Sequence, residues 1–324
     1  MKPTIRISNH LKNTAVIALI LLPVFYFISY NLLLSYVGGD QAYYRDYYSA
    51  LKDKPISDIP KITKKYINAN EPFSGFILWA GSNLDIQKDV YISILNLFLL
   101  LGVFLLARKN NVKAPVIVLL LTNFYILVLL TSAERLKIAY IFIVFSALFA
   151  GKARWALASI SPFSHLQSLL LFPSLFMRNL ESELRRLFSY FVIRKRIIFQ
   201  VFFISCTALI IFLFLGEGIV RKGIIYASKD KSPVELASLV LLSVVALFVS
   251  INRSRMLLLI LPLYPFVIIL GGDRVNMMAV TLVIYQLMIE GRMHHPLIYL
   301  LLVYFSSKSI PFVNNIIIHG NGFA

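Results

Sequence analysis

The sequence has one cysteine, Cys206, set inside an apolar run. A single thiol excludes an intrachain disulfide and with it a disulfide-built scaffold. Histidine is also scarce, five in 324 residues, and too scattered for an obvious metal site. HExxH, CxxC, Walker A, GxGxxG and GxSxG are all missing. No metal or nucleotide cofactor is implied, so any reaction must start from an already activated substrate. Acids are few, 15 against 32 Lys and Arg, for a net charge of +17. There is no zinc-finger spacing, RNP-like motif or long basic arm, which argues against a nucleic-acid partner. Charge as a whole is thin. It makes up 15% of the chain, where a soluble domain carries about 25%.

Apolar residues fill the space that charge leaves. They make up 59% of the chain, the mean hydropathy is +0.78, and they come in blocks. Blocks of about 20 cross a bilayer as helices. The expected fold is an all-α polytopic membrane protein, one domain over residues 1–324, with about 9–11 transmembrane helices. The clear spans are roughly 14–37, 89–107, 114–131, 137–150, 197–215, 234–251, 256–270, 275–290 and 296–312. The first follows a basic start and is too long for a signal-peptide core, so it reads as a retained helix. The stretch 153–177 is broken at Ser161-Pro162, with Ser as N-cap and Pro at the first helical position. It is either a broken span or a re-entrant pair of half-helices. Basic connectors at 108–113 and 178–196 mark a cytoplasmic side, and the re-entrant form puts both there. Residues 38–88 then form an external loop, with a short helix near 73–83, and 132–136 is a tight external turn.

Polar residues kept against this background are the candidates for chemistry. The loop opens Gly38-Gly39-Asp40-Gln41-Ala42-Tyr43-Tyr44. Tyr43 and Tyr44 fit either an interfacial aromatic belt or stacking on sugar rings. Glu71 lies where the loop returns to apolar sequence, just before Pro72. It is a general base or a helix cap. Arg135, in Ser132-Ala133-Glu134-Arg135-Leu136-Lys137, is a cation on the side where the topology bias disfavours one. It either grips a pyrophosphate or, like Lys137, pairs locally with Glu134 or with a lipid phosphate. His165 lies just past the break and must face protein or water. Arg221 and Arg274 are further phosphate contacts on later external segments. His294-His295 reads as interfacial.

These residues in this order resemble the EpsG/Wzy type of bacterial polysaccharide polymerase, which includes O-antigen polymerases. The matching pieces are Gly39-Asp40 with Tyr43 and Tyr44, Glu71 entering a short apolar helix, Arg135 heading the Ile138-Ala139 span, and His165 after a small-residue run. They extend from about residue 30 to 170. The resemblance implies a GT-C-like architecture in the bacterial inner membrane, with the active site facing the periplasm. It implies transfer of a growing glycan from undecaprenyl pyrophosphate onto the non-reducing end of a lipid-linked repeat unit, beside membrane lipid and a chain-length regulator protein. Arg135, with Arg274 or Arg221, would hold the pyrophosphate. Glu71, Asp40 or His165 would be the base, and Tyr43 and Tyr44 would form the sugar rim. Two rivals are a lipid-linked oligosaccharide flippase or other transporter, and a membrane O-acyltransferase. A transporter usually has paired broken helices in its two halves, and the sequence announces only one break.

Overall fold

A computed structural model describes residues 9–69, 71–172 and 233–324, with residues 181, 186–190, 198, 202 and 205 besides. Among the described residues the chain is helical throughout, with no strand. The helices are α1 (Asn9–Ser35), α2 (Gly39–Ala50), α3 (Ile59–Ile67), α4 (Pro72–Asn83), α5 (Lys88–Lys109), α6 (Ala114–Leu121), α7 (Phe124–Thr131), α8 (Glu134–Leu148) and α9 (Gly151–Ser164). After the described part of the middle come α10 (Pro233–Val249), α11 (Arg253–Ile260), α12 (Leu263–Leu270), α13 (Gly272–Ile289) and α14 (Pro296–His319). Two 3₁₀ turns, η1 (Ile56–Asp58) and η2 (Leu166–Leu171), complete the set.

Among the described residues, three helices are long and apolar enough to cross a membrane: α1 over Val16–Ser35, α5 and α14. The α6–α7 pair makes a fourth if its two halves are one span. Among the described residues, several of the other expected spans fold as short helices. Residues 256–270 split at Leu261-Pro262 into α11 and α12, and α8 has only 15 residues. The block 197–215 and Arg221 lie outside the described residues, apart from 198, 202 and 205. Large hydrophobic side chains stand exposed on α1 (Leu19, Ile20, Phe27), α10 (Leu241, Val244, Phe248) and α14 (Leu300, Ile317, Ile318). Apolar surface on that scale suits lipid contact rather than water.

Inside the bundle, polar side chains tie helices together. Asn96 on α5 donates to Ser29 Oγ on α1 at 2.6 Å and to the Leu130 carbonyl of α7 at 2.9 Å. Such hydrogen bonds, and not a hydrophobic effect, specify helix pairing in lipid.

One helix break was not foreseen in the sequence, and another falls a few residues past its expected place. The expected single span 114–131 is bent by 47° between α6 and α7. No Gly or Pro marks the bend. Asn123 makes it, accepting from the Ile126 N–H at 3.1 Å and donating to the Leu120 carbonyl at 2.8 Å. Ser309 and Ser306 on α14 donate to the Thr122 and Leu119 carbonyls at 3.0 and 3.2 Å. The backbone groups freed by the bend are thus satisfied inside the protein, as a break at membrane depth requires. In the other place, Ser161-Pro162 does not start a helix. Pro162 lies within α9, which runs on to Ser164. The Ser161 hydroxyl is spent on the Ala139 carbonyl of α8 at 3.1 Å. The chain leaves the helix at His165, in extended geometry, and enters η2. The rest of the 153–177 stretch, from residue 173, lies outside the described residues.

The loop 38–88 is a small helical cap. The helix expected near 73–83 is α4, with Pro72 at its first turn. Two more, α2 and α3, were not foreseen. Tyr44, Tyr47, Tyr48 and Leu51 recur at helical spacing and form one apolar cluster with Leu33, Ile59, Leu78 and Ile92. Burial pushes the Tyr47 phenol up to about 12, so it stays neutral. The tyrosines of this loop are therefore mainly its core; Tyr43, 63% exposed, is the exception. The cap closes on α4 through glycine. A Cβ on Gly81 would lie 2.5 Å from the Tyr91 ring and 2.6 Å from the Tyr48 hydroxyl.

Two outcomes follow from this arrangement. Gly81→Ala should lower stability by about 1–3 kcal/mol through overpacking, despite alanine's better helix propensity; thermal unfolding in detergent measures it. Orientation is checked by cysteine labelling of intact cells, in a Cys206→Ser background. Lys61→Cys on the cap should react with an impermeant maleimide. Lys113→Cys, in the basic α5–α6 connector, should react only after permeabilisation. The reverse pattern would invert the topology.

Candidate functional site

Glu71 is the residue before α4, in extended geometry, and its side chain makes no cap hydrogen bond. Its carboxylate turns instead toward α8. Arg135 stands in the first turn of α8, one residue past Glu134. Its Nη1 donates to Glu71 Oε2 at 2.7 Å. Its Nε donates to the Tyr44 hydroxyl, on α2, at 3.3 Å. The other carboxylate oxygen, Oε1, lies 3.4 Å from His165 Nδ1, long for a hydrogen bond but close for an ion pair. His165 Nε2 meets the Gln167 Oε1 at 3.1 Å. Four segments, far apart in sequence, thus bring Tyr44, Glu71, Arg135 and His165 to one place.

The side chains of Glu71, His165 and Arg135 are 5%, 9% and 13% exposed. The site is sheltered, and its cation is the most open member. Burial raises the Tyr44 phenol above its ordinary value, and the Arg135 charge opposes this only in part. Tyr44 therefore remains a neutral hydroxyl. Its oxygen accepts from Arg135 and its proton is left to donate. Arg274, exposed in the first turn of α13, is near enough for its charge to act on His165.

Of the remaining expected site residues, Asp40 and Tyr43 are exposed on α2 and are not among the groups that touch Glu71, Arg135 or His165. Arg221 lies outside the described residues. His295 has a structural task, accepting from the Leu297 N–H at the start of α14.

A second charged cluster adjoins the first and was largely missed. Glu134 and Lys137 are both fully buried, with Lys137 Nζ 2.7 Å from Glu134 Oε2 and 2.9 Å from the Leu130 carbonyl. Between the two local pairings left open for Glu134, the structure has Lys137, one helical turn on, leaving Arg135 to Glu71. Gln41 donates to Glu134 Oε1 at 2.7 Å and to the Thr131 carbonyl, and accepts from Lys88 Nζ. Lys88 lies 3.5 Å from Asp89, which pairs with Arg45 at 3.2 Å. Arg45 in turn donates to the Leu33 and Tyr36 carbonyls at the end of α1. The overlooked signal was Lys88-Asp89 opening an apolar span, the same kind of costly charge that singled out Arg135.

Among the described residues no three His, Cys, Asp or Glu side chains gather as a metal site would need. The groups able to hold a ligand are the guanidinium of Arg135, the Tyr44 hydroxyl and the nearby Arg274. They suit an anion, while Glu71 and His165 suit proton transfer. No family model, curated protein or solved structure matches the chain.

Removing one member of the buried Glu134–Lys137 pair strands the other. Lys137→Met should cost about 3–5 kcal/mol. A Lys137→Met, Glu134→Leu double variant should recover most of that, because the uncompensated charge is gone. Denaturation in detergent across the four-variant cycle reads the coupling.

Proposed function

We propose that the chain is a polysaccharide polymerase: a glycosyltransferase that moves a growing glycan from undecaprenyl pyrophosphate onto the non-reducing end of a lipid-linked repeat unit. The observation that carries this reading is the meeting of Glu71, Arg135 and His165 under the Tyr-rich cap. These are three of the positions on which the resemblance to EpsG/Wzy-type polymerases rests. A GT-C-like arrangement, a periplasm-facing site in the bacterial inner membrane and a chain-length regulator as partner belong to the same reading.

The chemistry needs few parts. A hydroxyl of the acceptor sugar attacks the anomeric carbon of the donor. A new C–O bond forms, the bond to the pyrophosphate breaks, and the lipid pyrophosphate leaves with the electron pair. Arg135 stabilises that leaving charge. In the resting site Arg135 is held by Glu71 through Nη1 and by Tyr44 through Nε. When a pyrophosphate takes over the guanidinium, Glu71 gives up its ion pair with Arg135 and can accept the hydroxyl proton. His165, against the other carboxylate oxygen, can share or relay that proton. The Glu71–Arg135 pair is in this reading an autoinhibited base that substrate binding releases.

One observation favours a second reading, a flippase or other transporter. The α6–α7 pair is bent in the first half, and a two-residue interruption separates α11 from α12 in the second, whereas the sequence announced one break. Purified protein in liposomes with lipid-linked repeat units separates the two. Chain growth means polymerase; movement across the bilayer without new bonds means flippase; acyl ester formation means acyltransferase.

Glu71→Gln should slow chain growth by about 10²–10⁴-fold, the usual worth of a general base. Asp53→Asn, in an exposed turn, should leave it near normal. Arg135→Ala should abolish growth, and Arg135→Lys should be strongly defective, because an ammonium cannot serve Glu71, Tyr44 and a phosphate with a planar fork. Glycan ladders at matched protein levels measure all four. A normal ladder from Arg135→Lys would reduce Arg135 to a placeholder of charge.

A further inference from the structure

The backbone fixes His165 on both sides of its ring. Its N–H donates to the Ser161 carbonyl in the last turn of α9 at 3.0 Å, and its carbonyl accepts from the Ser168 N–H in η2 at 3.0 Å. That 3₁₀ turn sets Gln167, two residues on, against the imidazole. Nε2 meets the Gln167 amide oxygen at 3.1 Å. An amide oxygen only accepts, so Nε2 carries the proton. In a neutral ring the other nitrogen is then bare, because the hydrogen bond at one nitrogen decides the state of the other.

Nδ1 has the surroundings of a bare nitrogen. It is buried, and among the described residues it has no hydrogen-bond partner. It faces Glu71 Oε1 at 3.4 Å. Two acceptors with no proton between them stand at such a spacing, whereas a charge-assisted hydrogen bond closes to about 2.7–2.9 Å. The charges around the ring favour its neutral form. Glu71 draws a proton toward it, but Arg135, already on that carboxylate, and Arg274 oppose this, as does burial. A buried acceptor without a donor is costly, and protonation of Glu71 relieves the cost at once.

We propose that Gln167 is a positioning residue: it holds the Nε2 proton of His165 and so keeps Nδ1 open to the proton that Glu71 takes from the acceptor hydroxyl. The inference rests on the polymerase reading for the source of that proton. The hydroxyl O–H bond breaks, its proton passes to Glu71, and its electron pair forms the new C–O bond. The Glu71 O–H bond then breaks and an Nδ1–H bond forms, so carboxylate and imidazolium replace carboxylic acid and imidazole. Both ring nitrogens now donate to oxygen, Nδ1 to Glu71 and Nε2 to Gln167. The carboxylate can take Arg135 back as the lipid pyrophosphate departs, and the ring resets by losing its proton to water.

The test reads the proton directly, by ring-nitrogen NMR of isotope-labelled histidine in nanodiscs. The His165 signals are those lost in His165→Asn. At neutral pH the resting protein should have Nε2 protonated and Nδ1 bare. Gln167→Met removes the acceptor and should reverse the tautomer, since the Glu71 carboxylate is then the acceptor left to the ring. Its chain growth should fall about tenfold or more in kcat, with KM near that of wild type. Gln167→Glu still accepts from Nε2, so it should keep the wild-type tautomer and restore chain growth at alkaline pH. Its added negative charge favours the imidazolium, which cannot accept, so the acid limb of the pH–rate profile should move up by about one pH unit or more. A resting ring protonated at Nδ1 would overturn the proposal. So would an unchanged tautomer, kcat and pH profile in a folded Gln167→Met variant. If that variant does not fold, the wild-type tautomer and the Gln167→Glu profile decide. Wild-type chain growth with Nδ1 protonated would strike this proposal and leave the polymerase reading. The expected tautomers without any chain growth in the liposome assay would strike the polymerase reading and leave Gln167 setting the His165 proton.

Discussion

The loop end of the bundle is organised by the cost of burying one guanidinium. Arg135 begins a helix that packs against α5, α7 and α9, where it cannot reach bulk water freely. A charge left alone in such a place costs several kcal/mol. It needs a carboxylate, and none on its own helix is free, because Glu134 belongs to Lys137. Glu71 supplies it from 64 residues away. To bring Glu71 there, the 38–88 segment must fold back over the end of α8. The tyrosine cluster, the tight glycine contacts of α4 and the η2 exit at His165 are the packing that makes this return possible.

The two buried pairs divide the work. Glu134–Lys137 is sealed: Gln41, itself held by Lys88, donates to Glu134, and Lys137 also donates to the Leu130 carbonyl. It joins α2, α5, the end of α7 and α8 into one rigid corner. Glu71–Arg135 is partly open, and its members face hydroxyl and imidazole groups able to exchange partners. A rigid pair beside an exchangeable one is what preorganisation requires: the first holds the α7–α8 turn in register so that the second presents its cation at a fixed point.

Much of this corner was legible in the sequence through conflict. Arg135 drew notice because a cation at that turn opposes the topology bias, and His165 because an imidazole in an apolar stretch must face something polar. Glu71 stood out as an acid at the point of return to apolar sequence. Partners were harder to read. Glu134 is three residues from Lys137 and next to Arg135, and spacing alone does not say which it takes. The α6–α7 bend escaped because polar bends are usually sought at Gly or Pro, and here an Asn side chain does the work with help from serines on α14, 187 residues on. Pro162 misled in the opposite sense. Proline disrupts a helix interior by removing a bond to the preceding turn, yet α9 ends two residues later and absorbs it. The cap helices were hidden for a different reason: their tyrosines look like an interfacial belt until their spacing is counted.

The same accounting explains why the bundle is built from short and bent helices. A straight span satisfies its backbone internally and leaves no groups to direct. Each interruption here is instead matched to a demand. Asn123 and Ile126 at the α6–α7 bend line an apolar cavity, while α14 hydroxyls satisfy the carbonyls that the bend frees. The end of α9 releases His165 from helical geometry at the level of Glu71, and η2 then carries Leu171 to the cavity wall. The interruption at Gly271, which has φ of 85°, starts α13 so that Arg274 falls in its first turn. A non-glycine residue would resist that backbone conformation. Broken backbone in a membrane is tolerated only where it faces protein or a cavity. In this chain two of these breaks border the cavity or the charged cluster, and the third starts the helix that carries Arg274 toward them, so the irregular segments and the proposed site are one architectural feature.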